Sequence, residues 1–321
     1  MDGLRRRLWS GTGPAIWLLS PLSVLYALGW WAYQSIYVLG LKKAAKPHRP
    51  IVCVGNLVAG GAGKTPTTLF VLDTLLAAGH QVVVSASGYG SPHQHEAALA
   101  PEGDLNPAEW GDEPALFRLK RPDVPLVVGR DRVMAAELVA RHYPSAVMLM
   151  DDGYQHLRLD PDVRILLDPP RPNRLCLPVG PYREPRWTGV RRASAVVPPD
   201  FAWSRTPTVL SLPDGTPAMP DRPCCVVCAL AEPDRFLADL ASLGVNVAET
   251  RVLPDHDPLE PGTLFDSLPP TMPLVTTAKD WVKLRRHQLD RQVFVADYSA
   301  VIEPEARFRE WLLQEVGRGS E

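Results

Sequence analysis

The sequence predicts an α/β fold with a mostly parallel sheet covered by helices on both faces. Three observations carry this expectation. From residue 50 onward, short β-rich runs alternate with helical patterns; the runs are continuously apolar; and the first turns into a helix through a glycine-rich loop. The runs are Ile51–Val54, Gln81–Ser85, Val124–Val128, Ala146–Met150 and Val163–Leu167. Helical patterns lie over Thr65–Ala78, Glu113–Leu119 and Arg132–His142. Asp168–Pro223, rich in Pro and Arg, reads as loops and a connector. Alternation then resumes, with strands over Cys225–Leu230, Asn246–Val252, Leu274–Thr277 and Gln292–Val295 and helices over Pro233–Leu243, Ala278–His287 and Pro304–Val316. The expected division is an apolar helical segment over 1–46, a core over 47–221 and a smaller C-terminal α/β unit over 222–321.

Composition sets limits. A chain of 321 residues with 45% hydrophobic residues can bury a sizeable core and is not a disordered chain. A formal net charge of −2 argues against a polyanion binder, so no nucleic-acid partner is expected. Five unevenly placed cysteines are not a disulfide framework and suit a reducing compartment. Cys225 and Cys228 are three apart on a strand, so they point to opposite faces and belong to core packing rather than to a shared metal.

No charged residue lies between Arg7 and Lys42. This stretch is long enough to span a bilayer, but Pro21 and Gly29 interrupt it and polar residues dilute it. Basic residues flank both ends: Arg5, Arg6 and Arg7, then Lys42, Lys43, Lys46 and Arg49. One or two interfacial helices, with Trp and Tyr at the headgroups and cations on anionic lipid phosphates, are expected. A helical hairpin packed on the core is the alternative.

Ile51–Val54 runs into Gly55-Asn56-Leu57-Val58-Ala59-Gly60-Gly61-Ala62-Gly63-Lys64-Thr65-Pro66. A strand, a glycine-rich turn and a helix start make a phosphate-binding loop, with Gly60, Gly61, Ala62 and Gly63 approaching the oxygens through their backbone. Lys64 would reach the β- and γ-phosphates of ATP, and Thr65 would hold Mg²⁺. The strict G-x-x-x-x-G-K-[ST] spacing is not met, because position 58 is Val. Ala146–Met150 delivers Asp151 and Asp152 at its carboxyl end, where a P-loop site needs an acid for Mg²⁺.

Asp151-Asp152-Gly153-Tyr154-Gln155-His156 follows that strand, and further motifs accompany it. They are Ser87-Gly88-Tyr89-Gly90, Gly111-Asp112-Glu113-Pro114, Arg130-Asp131-Arg132, Leu177–Pro185, Pro254-Asp255-His256 and Thr277-Ala278-Lys279-Asp280. Taken in order over nearly the whole chain, they closely resemble the tetraacyldisaccharide 4'-kinase family. The resemblance implies a P-loop NTPase-like core and ATP-dependent phosphorylation of the 4'-hydroxyl of a lipid A disaccharide 1-phosphate. It also implies work at the cytoplasmic face of the inner membrane. It makes Asp112 the catalytic carboxylate and His256 its partner, one from each unit, so that closure could exclude water. Gln155, His156, Arg132 and Lys279 fall with the nucleotide-binding residues. For Arg132 a solvated surface charge is an equal reading, and for most of Arg171, Arg174, Arg183, Arg186, Arg191 and Arg192 a basic solvated loop is at least as good. Ser87 stands where the family has Arg. Two other classes remain as alternatives: a P-loop NTPase switch or assembly factor, and a divergent kinase acting on another glycolipid.

Overall fold

The computed structural model describes residues 8, 9, 11, 15–265 and 268–320. Arg5, Arg6 and Arg7, expected to flank the apolar segment, lie outside the described residues. The chain forms two compact units from interleaved segments: Met1–Ser85, Asp131–Ser204 and Val301–Glu321 in the first, Ala86–Arg130 and Arg205–Ala300 in the second.

In the first unit five parallel strands, β1 Ile51–Asn56, β2 Val82–Ala86, β3 Val147–Asp151, β4 Val163–Leu167 and β5 Ala195–Val197, lie in the order β2-β3-β1-β4-β5. β1, β2 and β3 are buried along their whole length. This explains their unbroken Val, Ile, Leu and Met runs, since a parallel sheet is covered on both faces. Val54 pairs with Asp151 and Asn56 with Leu167. β1 therefore ends between β3 and β4, where successive crossovers leave in opposite directions, the usual ligand position in such a sheet.

Helix Glu305–Ser320 returns to this first unit. Its Phe308, Leu312 and Val316 are fully buried, with Phe308 against Phe70 and Phe201 at centroid distances of 5.8 and 5.0 Å.

The apolar segment is one helix, Ala15–Val38, and Pro21 lies inside it. The expected interruption does not occur. Proline removes the N–H that would bond the carbonyl of Trp17 and normally breaks a helix. Here the Ser20 hydroxyl donates to that carbonyl at 3.0 Å, so it is not left bare. The helix is inside-out: Trp17 and Leu18 are 83% and 80% exposed, and Leu22, Leu25, Leu28 and Trp31 are exposed as well. Polar residues face the protein. Ser23 donates to the carbonyl of Cys176, Tyr26 to that of Arg183 at 2.8 Å, and Gln34 to Glu184 at 2.6 Å. The helix is long and apolar enough to cross a membrane.

In the second unit β6 Val209–Ser211, β7 Cys224–Cys228, β8 Val247–Val252, β9 Leu274–Thr277 and β10 Val293–Asp297 form a sheet in the order β8-β7-β9-β10-β6, parallel except for β6. Cys225 and Val227 pack into one core cluster, Cys224, Val226 and Cys228 into another. All five cysteines are free and buried, which fits the packing role. Helices Asp112–Lys120 and Ala278–Leu284 bring this unit's functional side chains together. The stretch expected to be loops, Asp168–Pro223, also holds a short helix, Arg186–Arg191, and three short strands, Ala195–Val197, Ala202–Arg205 and Val209–Ser211.

Candidate active site

The phosphate loop in the first unit follows β1. Gly60 and Gly63 sit at φ 99° and 76°, the left-handed region that favours glycine. Gly63 is constrained twice, because a Cβ there would lie 2.5 Å from the Trp203 ring. That indole in turn donates to Thr67 at 2.9 Å. Position 58 departs from the usual spacing for a visible reason. Residues 57–59 pair with 181–183: Ala59 N–H donates to the Pro181 carbonyl at 2.8 Å and Arg183 N–H to that of Leu57 at 2.7 Å. Val58 buries its side chain there.

Lys64 and Thr65 open helix Lys64–Ala77. The Lys64 ammonium is 3.4 Å from Asp152 and 3.5 Å from the Asn56 side-chain oxygen. Thr65 donates to Asp151 Oδ2 at 3.2 Å and Thr68 to Oδ1 at 2.7 Å. The two acids have different surroundings: Asp151 faces threonine hydroxyls, Asp152 faces cations. Burial works to raise the Asp152 pKa, but the charges of Lys64 and Arg183 outweigh it and hold the carboxyl below its ordinary range.

Arg132 is 2% exposed, which rules out the solvated surface charge. It donates to the Asp151 carbonyl at 2.7 Å and to Ser85 at 2.8 Å, buttressing the strand end that carries the acids. Gln155 bonds the Asn56 carbonyl at 2.9 Å and Glu184 at 3.0 Å. Arg183, not singled out among the six loop arginines, reaches Asp152 at 3.0 Å and the Asn56 carbonyl at 3.1 Å. Arg186 and Arg192 pair with Asp168 and Glu184, Arg192 largely buried and Arg186 still partly exposed. Asn56 Nδ2, Arg183 Nε and His156 Nε2 are buried with no partner among the described residues. Two of these are donors beside the loop, a suitable setting for an anion.

Burial, with the Arg132 charge, pushes the His156 pKa down to about 4. The unfolded chain therefore takes up this proton near pH 6.5 while the folded one does not, and stability falls between about pH 6.5 and 4. The expected loss from pH 7 to pH 5 is about 1–2 kcal/mol after allowing for partial exposure. Melting curves should show it as roughly 2–6 °C, and His156→Gln should remove that part of the drop.

The second unit holds the other expected pair. Asp112 and His256 belong to this same unit, not to separate ones. Segment 86–130 leaves the first unit's chain path after β2 and folds with the residues after 205. Gly88 and Gly111, at φ 59° and 93°, pack backbone to backbone, where a Cβ on Gly111 would meet Gly88 at 3.1 Å. This close approach sets Asp112 at the first turn of its helix and Tyr89 5.4 Å from the His256 ring. His256 Nδ1 is 3.1 Å from Asp112 Oδ2. The same oxygen is 2.9 Å from Lys283 Nζ. Burial works to raise the Asp112 pKa, but the His256 hydrogen bond and the Lys283 charge hold the carboxyl below its ordinary range. Lys279 pairs with Asp255 at 2.8 Å. Ser87 donates to Glu113 at 3.5 Å. Lys283 escaped the sequence reading. The available signal was its position four residues after Lys279, on the same helix face.

A glycine-rich turn after a buried parallel strand, a Lys-Thr helix start and an acid on the neighbouring strand define a P-loop nucleotide-binding protein. The comparisons narrow this class. Residues 15–317 match the family described as LpxK, tetraacyldisaccharide-1-P 4'-kinase. The tetraacyldisaccharide 4'-kinase of Methylibium petroleiphilum is 36% identical, over 95% of this chain and 91% of its own. That of Shewanella pealeana is 32% identical, over 89% of each. The crystal structure of LpxK from Aquifex aeolicus in complex with ATP superposes with a TM-score of 0.76 at 26% identity, covering 93% of this chain and 98% of that one. The chain belongs to the tetraacyldisaccharide 4'-kinase family.

Proposed function

We propose that this protein transfers the γ-phosphate of ATP to the 4'-hydroxyl of a tetraacyldisaccharide 1-phosphate in lipid A biosynthesis. The observation that carries the reading, beside family membership, is the Asp112–His256 pair with a buried lysine against it. Such a pair suits a proton acceptor for an alcohol and has no use in a nucleotide switch.

The first unit supplies the phosphate cradle. Lys64, the loop amides over 60–63 and the donors of Asn56 and Arg183 take up the triphosphate charge. Mg²⁺ fits the residues present. Thr65 and Asp151 offer hard oxygens within 3.2 Å of each other, and Asp152 stands next to them. No group of three or more His, Cys, Asp or Glu among the described residues would hold a metal unaided. A P-loop site does not need one, because substrate phosphates and waters complete the shell. The bound ion would neutralise charge on the β- and γ-phosphates. Gln155, His156 and Lys279 are assigned to the nucleotide; His156, neutral at physiological pH, serves as an uncharged partner.

The second unit supplies Asp112, which accepts the proton of the 4'-hydroxyl. Its low pKa makes it a weak base, which a loose transition state tolerates. In such a state the hydroxyl gives up its proton late, and the carboxylate acts chiefly by orienting it. His256 holds the carboxylate in place.

The exposed apolar face of helix Ala15–Val38, followed by Lys42, Lys43, Lys46 and Arg49, would sit in the interface of a membrane with anionic lipids. ATP places that membrane surface on the cytoplasmic side.

The test uses purified protein, γ-labelled ATP and lipid A disaccharide 1-phosphate in detergent. Label should enter the lipid, and Lys64→Ala should lower that rate at least ~10²-fold. ATP hydrolysis that is equally fast without lipid, with no labelled lipid formed, would mean a nucleotide switch instead.

A further inference from the structure

We propose that Lys283 is a positioning residue for phosphoryl transfer, holding both the Asp112 carboxylate and the loop that presents His256. The inference rests on the reading of the Asp112–His256 pair as the proton-accepting group and adds a third member to it.

The Lys283 side chain is 4% exposed. Lysines are almost never buried to this degree unless paired. Its ammonium has three donors, and the structure accounts for their directions. One meets Asp112 Oδ2 at 2.9 Å, and one donates to the carbonyl of Asp257 at 2.8 Å. The third side faces Asp280 Oδ1 at 3.9 Å. That oxygen has no hydrogen-bond partner among the described residues. The other Asp280 oxygen is tied down, accepting from Ala229 N–H at 3.1 Å and from Thr277 at 2.8 Å. Asp280 is thus fixed to the end of β7 and to the first turn of its own helix. Lys283, one turn further on, transmits that position to Asp112.

The contact with Asp257 matters for His256. His256 has φ 66°, a left-handed conformation that is uncommon for a residue with a Cβ. A residue held there needs its surroundings to fix it. Lys283 grips the carbonyl of the next residue, and Lys279 grips Asp255 on the other side. Two lysines on one helix face therefore clamp 255–257 from both flanks.

The arrangement is a poor device for stability. Burying an ammonium with two carboxylates carries a large desolvation cost, and an apolar replacement is often neutral or better. A functional use accounts for it more simply. The charged groups facing Asp112 are His256 and Lys283; Asp280 faces Lys283 from behind, and Asp255 with Lys279 lies beyond His256. Glu113, next along the Asp112 helix, is taken up by Ser87. Of these, only Lys283 brings a permanent positive charge into contact with Asp112.

The experiment measures lipid phosphorylation against pH for wild type, Lys283→Met, Lys283→Arg and Asp112→Asn, each checked for folding by thermal melting. Activity needs the hydrogen-bonded Asp112–His256 pair able to accept a proton, so the acidic limb of the kcat/KM profile follows the titration of the pair. Removing the neighbouring cation favours the protonated pair, and Lys283→Met should move the limb to higher pH. Its kcat should fall about 10- to 100-fold with KM for ATP within about threefold, since positioning errors of this kind act on the chemical step. Lys283→Arg restores the charge and should return the limb to the wild-type position with partial kcat. If Lys283→Met does not fold, Lys283→Gln is read in its place. A limb that stays at the wild-type pH in the uncharged variant overturns the proposal, as does an arginine variant no better than the uncharged one. Asp112→Asn separates the two levels. Full activity there would remove Asp112 from the reaction, whereas a large loss beside an unmoved Lys283 limb would remove Lys283 alone.

Discussion

Asp112→Asn is expected to lower kcat for lipid phosphorylation by about 10²–10⁴-fold, with little change in KM for ATP. The side chains are nearly isosteric, so the change removes charge rather than volume. The amide can still meet His256, but it cannot accept a proton from an attacking hydroxyl. A loss confined to kcat would mark an interaction made in the transition state, since groups that only bind nucleotide report in KM. His256→Ala should cost less, about tenfold, because Lys283 still holds the same carboxylate oxygen at 2.9 Å. The asparagine variant also leaves the Lys283 ammonium with Asp280, at 3.9 Å, as its one nearby carboxylate among the described residues. Some loss of melting temperature should accompany the loss of rate. The chemical effect is isolated by assaying well below the melting point, where the folded fraction is complete. A variant that phosphorylates lipid within threefold of wild type under those conditions would end the role assigned to Asp112.

The parts of the molecule legible in the sequence are those where local pattern and burial agree. β1, the phosphate loop and the helix after it show this agreement: four apolar residues in a row, then glycines, then Lys-Thr-Pro. β3, with five buried residues ending in Asp151, shows it too. Where a local rule misled, a hydrogen bond outside the rule had overridden it. Pro21 does not break its helix, because Ser20 satisfies the freed carbonyl. Val58 replaces the usual glycine because 57–59 are paired with 181–183, more than a hundred residues away. Arg183 and Lys283 gain their importance from Asp152 and Asp112; nothing in the immediate sequence separates Arg183 from the arginines around it, and for Lys283 the spacing from Lys279 is the local signal. The interleaving of the units was equally hidden. Hydrophobic period identifies helix Glu305–Ser320 but not the surface that receives Phe308, and no local signal assigns 86–130 to the residues after 205. The Asp112–His256 pair was visible only through the family motifs. On local chemistry alone Asp112 is an ordinary acid at a helix start, and His256 a loop residue between two aspartates.

Glu184→Leu is expected to destabilise the protein by about 3 kcal/mol, a fall of roughly 6–12 °C in melting temperature. Glu184 is fully buried and is the common partner of three groups, Gln34 and Gln155 from elsewhere in the first unit and Arg192 eight residues on. Oε2 accepts from Gln34 of the apolar helix at 2.6 Å, and Oε1 accepts from Gln155 at 3.0 Å and Arg192 at 2.9 Å. Arg192 also pairs with Oε2 at 2.9 Å and lies over the Tyr154 ring at 5.2 Å. Leucine fills much of the volume but leaves a largely buried guanidinium without its counter-charge and two amides short of an acceptor. The cost therefore arises from the orphaned partners rather than from a cavity. Removing the orphan should restore stability, so Glu184→Leu with Arg192→Met should melt within a few degrees of wild type. The substitution should reach the nucleotide as well. Gln155 spans Glu184 and the Asn56 carbonyl, so releasing it loosens the end of β1, and KM for ATP should rise several-fold in the single variant. A single variant that melts with wild type would mean that water, not Glu184, satisfies Arg192. The apolar helix would then be joined to the nucleotide site by the Tyr26 bond to the Arg183 carbonyl and by packing, without Gln34.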